Sequence, residues 1–278
     1  MADVYTIGVL RDLAILVAIA TGLALLGYRT LRLRRPEVSW NQEGQVLSRP
    51  YAAPDLILLT LLGLFFISTM QASTGEKADA AISSAGIIIS MVFNLMVCVG
   101  LLLYLHRLRG LNPAELFGLQ HLHWRSIIRV VLVFTVICLV TVSLVAIGVT
   151  QWLQSVWPDL QPQQLVETFQ TSNNLGLKVL VVLAAVVIAP LAEETLFRGF
   201  VYGVLKRYTD APFAALASSL MFAIIHQHVG SLMPLCVLAV LFCIAYEITG
   251  CLLVPMLLHM IFNATSIVMM IFTETPGG

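Results

Sequence analysis

The stretch Leu175-Gly-Leu-Lys-Val-Leu-Val-Val-Leu-Ala-Ala-Val-Val-Ile-Ala-Pro190-Leu-Ala-Glu193-Glu194-Thr-Leu-Phe-Arg198-Gly-Phe-Val-Tyr-Gly203 decides how the chain is read. It is apolar for longer than the ~20 residues that cross a bilayer, yet between Pro190 and Gly199 it carries two carboxylates and an arginine. A charge at the bilayer centre costs roughly 2.5–3.5 kcal/mol on insertion scales, so such residues usually serve a function. Glu194 and Arg198 are four apart, on one helical face and in the favourable acid-first order. Arg198 is therefore expected to neutralise Glu194, which leaves Glu193, about 100° round the helix, free for another task.

The rest of the chain has the same character. Of 278 residues, 59% are hydrophobic and 11% charged, and the mean hydropathy is +0.93. Soluble domains carry about 25% charged residues, so lipid must cover much of this surface. The expected fold is all-α: a polytopic bundle of about eight transmembrane helices, near 8–28, 54–71, 83–105, 127–149, 175–205, 211–228, 231–248 and 251–272. The fifth is too long for one perpendicular span, and its end at Lys206 and Arg207 is expected at the interface. The first run lacks the basic start of a secretory signal and ends in Tyr28 and arginines, so it reads as a retained helix. The net charge of zero says nothing by itself about a nucleic-acid partner, and none is expected. The five cysteines form no CxxC pair and read as small buried hydrophobes.

The charges that remain are sorted by loop. Arg29, Arg32, Arg34, Arg35 and Arg49 follow the first run. Arg107, Arg109 and Arg125 follow the third, and Lys206 and Arg207 the fifth. Ten of the 15 Lys and Arg thus sit in alternate connections, while the intervening ones hold only Lys77. The positive-inside rule puts the basic loops in the cytoplasm and both termini outside. Trp152 and Trp157 suit an interfacial anchor. Trp40 to Ala53 reads as a polar loop. Residues 1–170 read as transmembrane helices with cytoplasmic basic loops and little chemistry. Residues 171–278 read as the catalytic helices of the same continuous membrane domain.

Two further motifs carry polar groups into apolar runs. The sixth span has Phe222-Ala-Ile-Ile-His226, and the eighth has His259-Met-Ile-Phe-Asn263, whose ends share a helical face. From a turn at Thr209, Glu193 lies 16 residues back and His226 17 forward. Both are therefore about 25 Å along their helices, level in an antiparallel hairpin. His259 is 10 residues past the link near Thr249, about 15 Å. Gly199 and Gly203 form a GxxxG that lets backbones approach.

Together these residues resemble the signature of the CPBP family, which includes type II CAAX prenyl endopeptidases and bacteriocin-processing or immunity proteins. EExxxR reads Glu193-Glu194-Thr-Leu-Phe-Arg198, FxxxH reads Phe222 to His226, and HxxxN reads His259 to Asn263, in order and within the last hundred or so residues. The resemblance implies that Glu193 and His226 activate water and that His259 and Asn263 hold the oxyanion, with Glu194, Arg198 and Phe222 in support. It implies an intramembrane endopeptidase acting on a membrane-associated or lipidated protein or a small peptide. Its partners would be membrane lipid and that substrate, in an integral, multi-pass protein of a plasma membrane, bacterial in type.

The chemistry needs those residue types. Amide hydrolysis requires a base that takes a proton from water and donors for the developing oxyanion. Glu193, His226 and His259 also supply the two imidazoles and one carboxylate used by several zinc hydrolases. The metal-free glutamate version is favoured over zinc, because Asn263 beside His259 suits an oxyanion pocket better than a metal shell. The competing class is a non-catalytic scaffold or immunity protein on the same fold. A transporter would show paired, interrupted helices in a repeat, and no repeat is evident. Of the other polar residues, His228 and Glu247 are expected near the interface, and His106, His121 and His123 in a solvated loop.

Overall fold

The computed structural model describes residues 2–35, 45–72, 83–120, 123–156, 169–170, 172 and 174–273. Lys77, His121, Trp157 and the part of the polar loop from Trp40 to Gly44 lie outside the described residues. Among those described there is no strand. The elements are α1 (Ala2–Arg34), α2 (Ala53–Ala72), α3 (Ser84–Leu103, continued by a π turn Tyr104–Leu108), the short α4 (Pro113–Leu116) and α5 (Trp124–Val156). The continuous α6 (Leu175–Tyr208) follows, then α7 (Ala211–Ile224), α8 (Val229–Thr249) and α9 (Leu253–Thr273). Seven described helices are long and apolar enough to cross a membrane. Their large apolar side chains, such as Leu23, Leu64, Ile89 and Leu144, point outward, the reverse of a soluble protein. The chain is an all-α, polytopic membrane bundle.

The sixth predicted span, 211–228, is shorter than expected. Asp210 caps α7, accepting from Phe213 N at 2.8 Å, and the helix stops at Ile224 after 14 residues. At 1.5 Å per residue that is about 21 Å, against a hydrocarbon core of about 30 Å. The backbone then breaks: Gln227 sits at φ 52°, and His228 starts α8 by accepting from Ser231 N at 3.1 Å. His226 thus lies just beyond a helix end rather than within a span, and His228 is a helix cap. Non-helical backbone at membrane depth is tolerated where protein or a cavity surrounds it.

The arginine-rich end is closed by side chains from the loops. Tyr51 donates its hydroxyl to Gly199 O, and a Cβ on Gly203 would run into the Tyr51 ring. A Cβ on Gly199 would come within 3.0 Å of Phe117. The GxxxG therefore receives aromatic rings from two loops, not another helix backbone. Asp55, fully buried, accepts from Tyr104 Oη and Arg109 Nε, each at 2.9 Å, and ties α2 to α3. Arg32 on α1 donates to Arg207 O at 3.0 Å and Thr209 O at 2.8 Å, which fixes the α6–α7 turn.

Lys206 and Glu247, each expected from its sequence position to reach the interface, face each other inside the protein. They pair at 2.5 Å, Lys206 is 5% exposed, and Tyr202 donates its hydroxyl to the same carboxylate oxygen. At the end of α8, Gly250 takes a left-handed φ of 62° and its N–H bonds Tyr246 O at 2.7 Å. This is the cap geometry that glycine meets at least cost, and it turns α8 directly into α9.

Candidate active site

α6 carries the first motif, and its backbone alternates between two helical forms. Ala184–Ile188 and Thr195–Tyr202 are π-helical, and Ala189–Glu194 between them is α-helical. Such π segments are frequent at functional sites. In the first, Ala189 N bonds Ala184 O, the i→i−5 register. The next donor in that register, to Ala185 O, would be residue 190, which is proline and has no N–H. Asn263 Nδ2 donates to that freed carbonyl at 2.8 Å. Pro190 therefore explains where one N–H of Asn263 goes, and the second N–H and the amide oxygen remain for other partners.

The buried ion pair lies one turn further on. Arg198 Nη1 donates to Glu194 Oε1 at 2.9 Å, with Glu194 0% and Arg198 1% exposed. Arg198 Nη2 donates to Ala239 O at 3.3 Å. Its guanidinium lies 4.6 Å from the Phe222 ring centre and 5.2 Å from that of Phe242, an arrangement that stabilises a cation. Glu194 Oε1 also accepts from His259 Nδ1 at 2.9 Å. A carboxylate, an arginine and a histidine from two helices thus form one buried cluster.

That cluster orients the groups in front of it. With Nδ1 on Glu194, His259 turns Nε2 toward Glu193 Oε2, 3.9 Å away. His226 Nδ1 lies 2.8 Å from Phe222 O. A carbonyl only accepts, so Nδ1 carries the proton and the neutral ring presents Nε2 as an acceptor. The fully buried Phe222 touches both imidazoles, its ring centre 4.7 Å from His226 and 5.9 Å from His259.

Glu193, His226, His259 and Asn263 all line one cavity of about 760 Å³. The imidazole within 4 Å of the Glu193 carboxylate is that of His259, not that of His226. The donor types suit zinc, but no three His, Cys, Asp or Glu among the described residues gather closely enough to hold a metal ion. The same cavity is walled by α3, through Ser90 and Asn94. This helix belongs to residues 1–170, where the sequence leads one to expect little chemistry. The available signal was two polar residues four apart in an otherwise apolar run.

Residues 175–265 match the profile of the family described as type II CAAX prenyl endopeptidase Rce1-like. That stretch holds all three motifs and every residue of the cluster, so the resemblance to the CPBP family stands on a second footing. The chain is also similar to a Bacillus subtilis (strain 168) protein that carries the provisional name membrane peptidase YdiL, with 29% identity over 90 residues. The match covers 32% of this chain and 37% of that relative's length. No solved structure matches.

Proposed function

We propose that the protein is an intramembrane endopeptidase of the glutamate type. The observation that carries this reading is the single cavity shared by Glu193, His226, His259 and Asn263 in front of a fully buried Glu194–Arg198 pair. In this mechanism Glu193 takes a proton from a water that His226 Nε2 helps to orient. The hydroxide attacks the peptide carbonyl carbon, and the carbonyl oxygen becomes the oxyanion. His259 acts as the imidazolium, with Nδ1–H on Glu194 and Nε2–H donated to that oxygen. The free N–H of Asn263 is the second donor. Glu193 then returns its proton to the leaving amine as the C–N bond breaks. Donors already aimed at the developing charge need no reorganisation during the reaction, which is what makes them effective.

The substrate in this reading is a membrane-associated or lipidated protein, or a small peptide, that reaches the cavity within the bilayer of a bacterial plasma membrane. The family description and the relative's name support a peptidase over a non-catalytic scaffold.

The test is cleavage of a quenched-fluorescence peptide library, including prenylated C-terminal peptides, by the protein in liposomes. The expected result is turnover that persists after chelation and exhaustive dialysis. Turnover lost on chelation and restored by zinc would replace the glutamate mechanism with a metal-dependent one. The absence of turnover on every peptide would favour the scaffold.

A further inference from the structure

A peptide in the cavity has a problem that the four residues above do not solve. Its backbone N–H and C=O groups away from the scissile bond leave water on entering, and each unpaired group is costly. No strand edge exists among the described residues to receive them. The cavity is walled by helices whose backbone groups are largely bonded internally. Side chains must therefore supply the partners.

Beyond the four motif residues, the described polar side chains on the cavity wall are Ser83, Ser90, Asn94 and Ser266. Two are already committed. Ser83 caps α3, accepting from Gly86 N at 3.1 Å, and Ser266 donates to Phe262 O at 2.9 Å. Ser90 and Asn94 make no hydrogen bond within the described residues. They are four apart on one face of α3, and α3 packs against the Ala189–Glu194 segment that carries Glu193. Asn94 is half-buried and Ser90 exposed, so both can be reached from the cavity, and an amide without a protein partner ten residues inside a membrane helix calls for one there.

We propose that Asn94, assisted by Ser90, binds the substrate's backbone. The carboxamide donates to a peptide carbonyl and accepts from a peptide N–H, which holds an extended segment against α3 with its scissile bond toward Glu193. The identity of the ligand rests on the peptidase reading. The presence of a polar binding wall does not.

Two measurements keep these apart. The first is the kinetics of Asn94→Ala, Asn94→Gln and Ser90→Ala on peptides that wild type cleaves. The expected result for Asn94→Ala is a KM raised about tenfold, the worth of a neutral hydrogen bond or a little more, with kcat within about threefold as for binding shared by ground and transition states. Asn94→Gln should recover part of the loss. The second is retention of the peptide library, read by mass spectrometry, on Glu193→Gln and on Glu193→Gln/Asn94→Ala. Retention that requires Asn94 supports the wall even if wild type cleaves nothing, in which case the peptidase reading alone falls. Equal retention by both proteins, or none by either, overturns the proposal. So does a KM unchanged in Asn94→Ala with a lowered melting temperature, which would mark Asn94 as structural.

Discussion

Replacing Arg198 by methionine should be among the more destabilising single changes in the bundle. The substitution keeps much of the side-chain volume but removes the donors to Glu194 Oε1 and Ala239 O and the cation between Phe222 and Phe242. It leaves a carboxylate of zero exposure whose second oxygen, Oε2, already lacks a partner. Breaking a buried pair from one side costs about 3–5 kcal/mol. The low end is expected here, because His259 Nδ1 stays on Glu194 Oε1. Glu194→Gln/Arg198→Met removes both charges while Gln still accepts from His259, and doubly neutral replacements of buried pairs are often close to harmless. Thermal unfolding in one detergent should therefore rank wild type and the double variant close together, with Arg198→Met well below both. A single variant as stable as wild type, or a double variant no better than the single, would refute the reasoning.

Other expectations follow from particular contacts. Asn263→Ala leaves Ala185 O without its donor and should cost about 1–3 kcal/mol; Pro190→Ala restores a backbone N–H nearby, so the same change should cost less in that background, which a double-mutant cycle in thermal unfolding would read. Gly203→Leu drives a side chain into the Tyr51 ring and should destabilise by about 1–3 kcal/mol through overpacking, with Tyr51→Ala recovering part of it. Glu247→Leu strands Lys206 at 5% exposure and should cost about 3–5 kcal/mol, whereas Glu247→Leu/Lys206→Met should recover most of that in the same unfolding assay.

The membrane helices were legible because a sustained apolar run has few alternatives once lipid is the solvent. The Glu194–Arg198 pair was legible because i,i+4 spacing is local. What escaped depended on long-range or backbone effects. Residues 211–228 read as a span, but α7 stops at Ile224 and the chain turns through a positive φ at Gln227, a residue type that does not signal a break. The glycines at 199 and 203 signalled close approach, but nothing local said that Tyr51 and Phe117 would be what approaches. Lys206 and Glu247 lie 41 residues apart, so nothing local signalled that they pair. Asn263 was readable as a polar group one turn from His259. Its anchoring to Ala185 O follows from Pro190 only once the π register is known. Asn94 was not singled out, because an amide in an apolar run says nothing of which cavity it walls until α3 is packed against α6.

The most direct measurement is kcat for Glu193→Gln against wild type in liposomes, on the same peptides, with library retention and unfolding temperature read from the same preparations. A general base contributes about 10²–10⁴ in rate. Turnover should fall by that order, with the unfolding temperature unchanged and the peptides still retained by Glu193→Gln. Turnover equal to wild type, from protein equally folded, would contradict the role of Glu193 as the base.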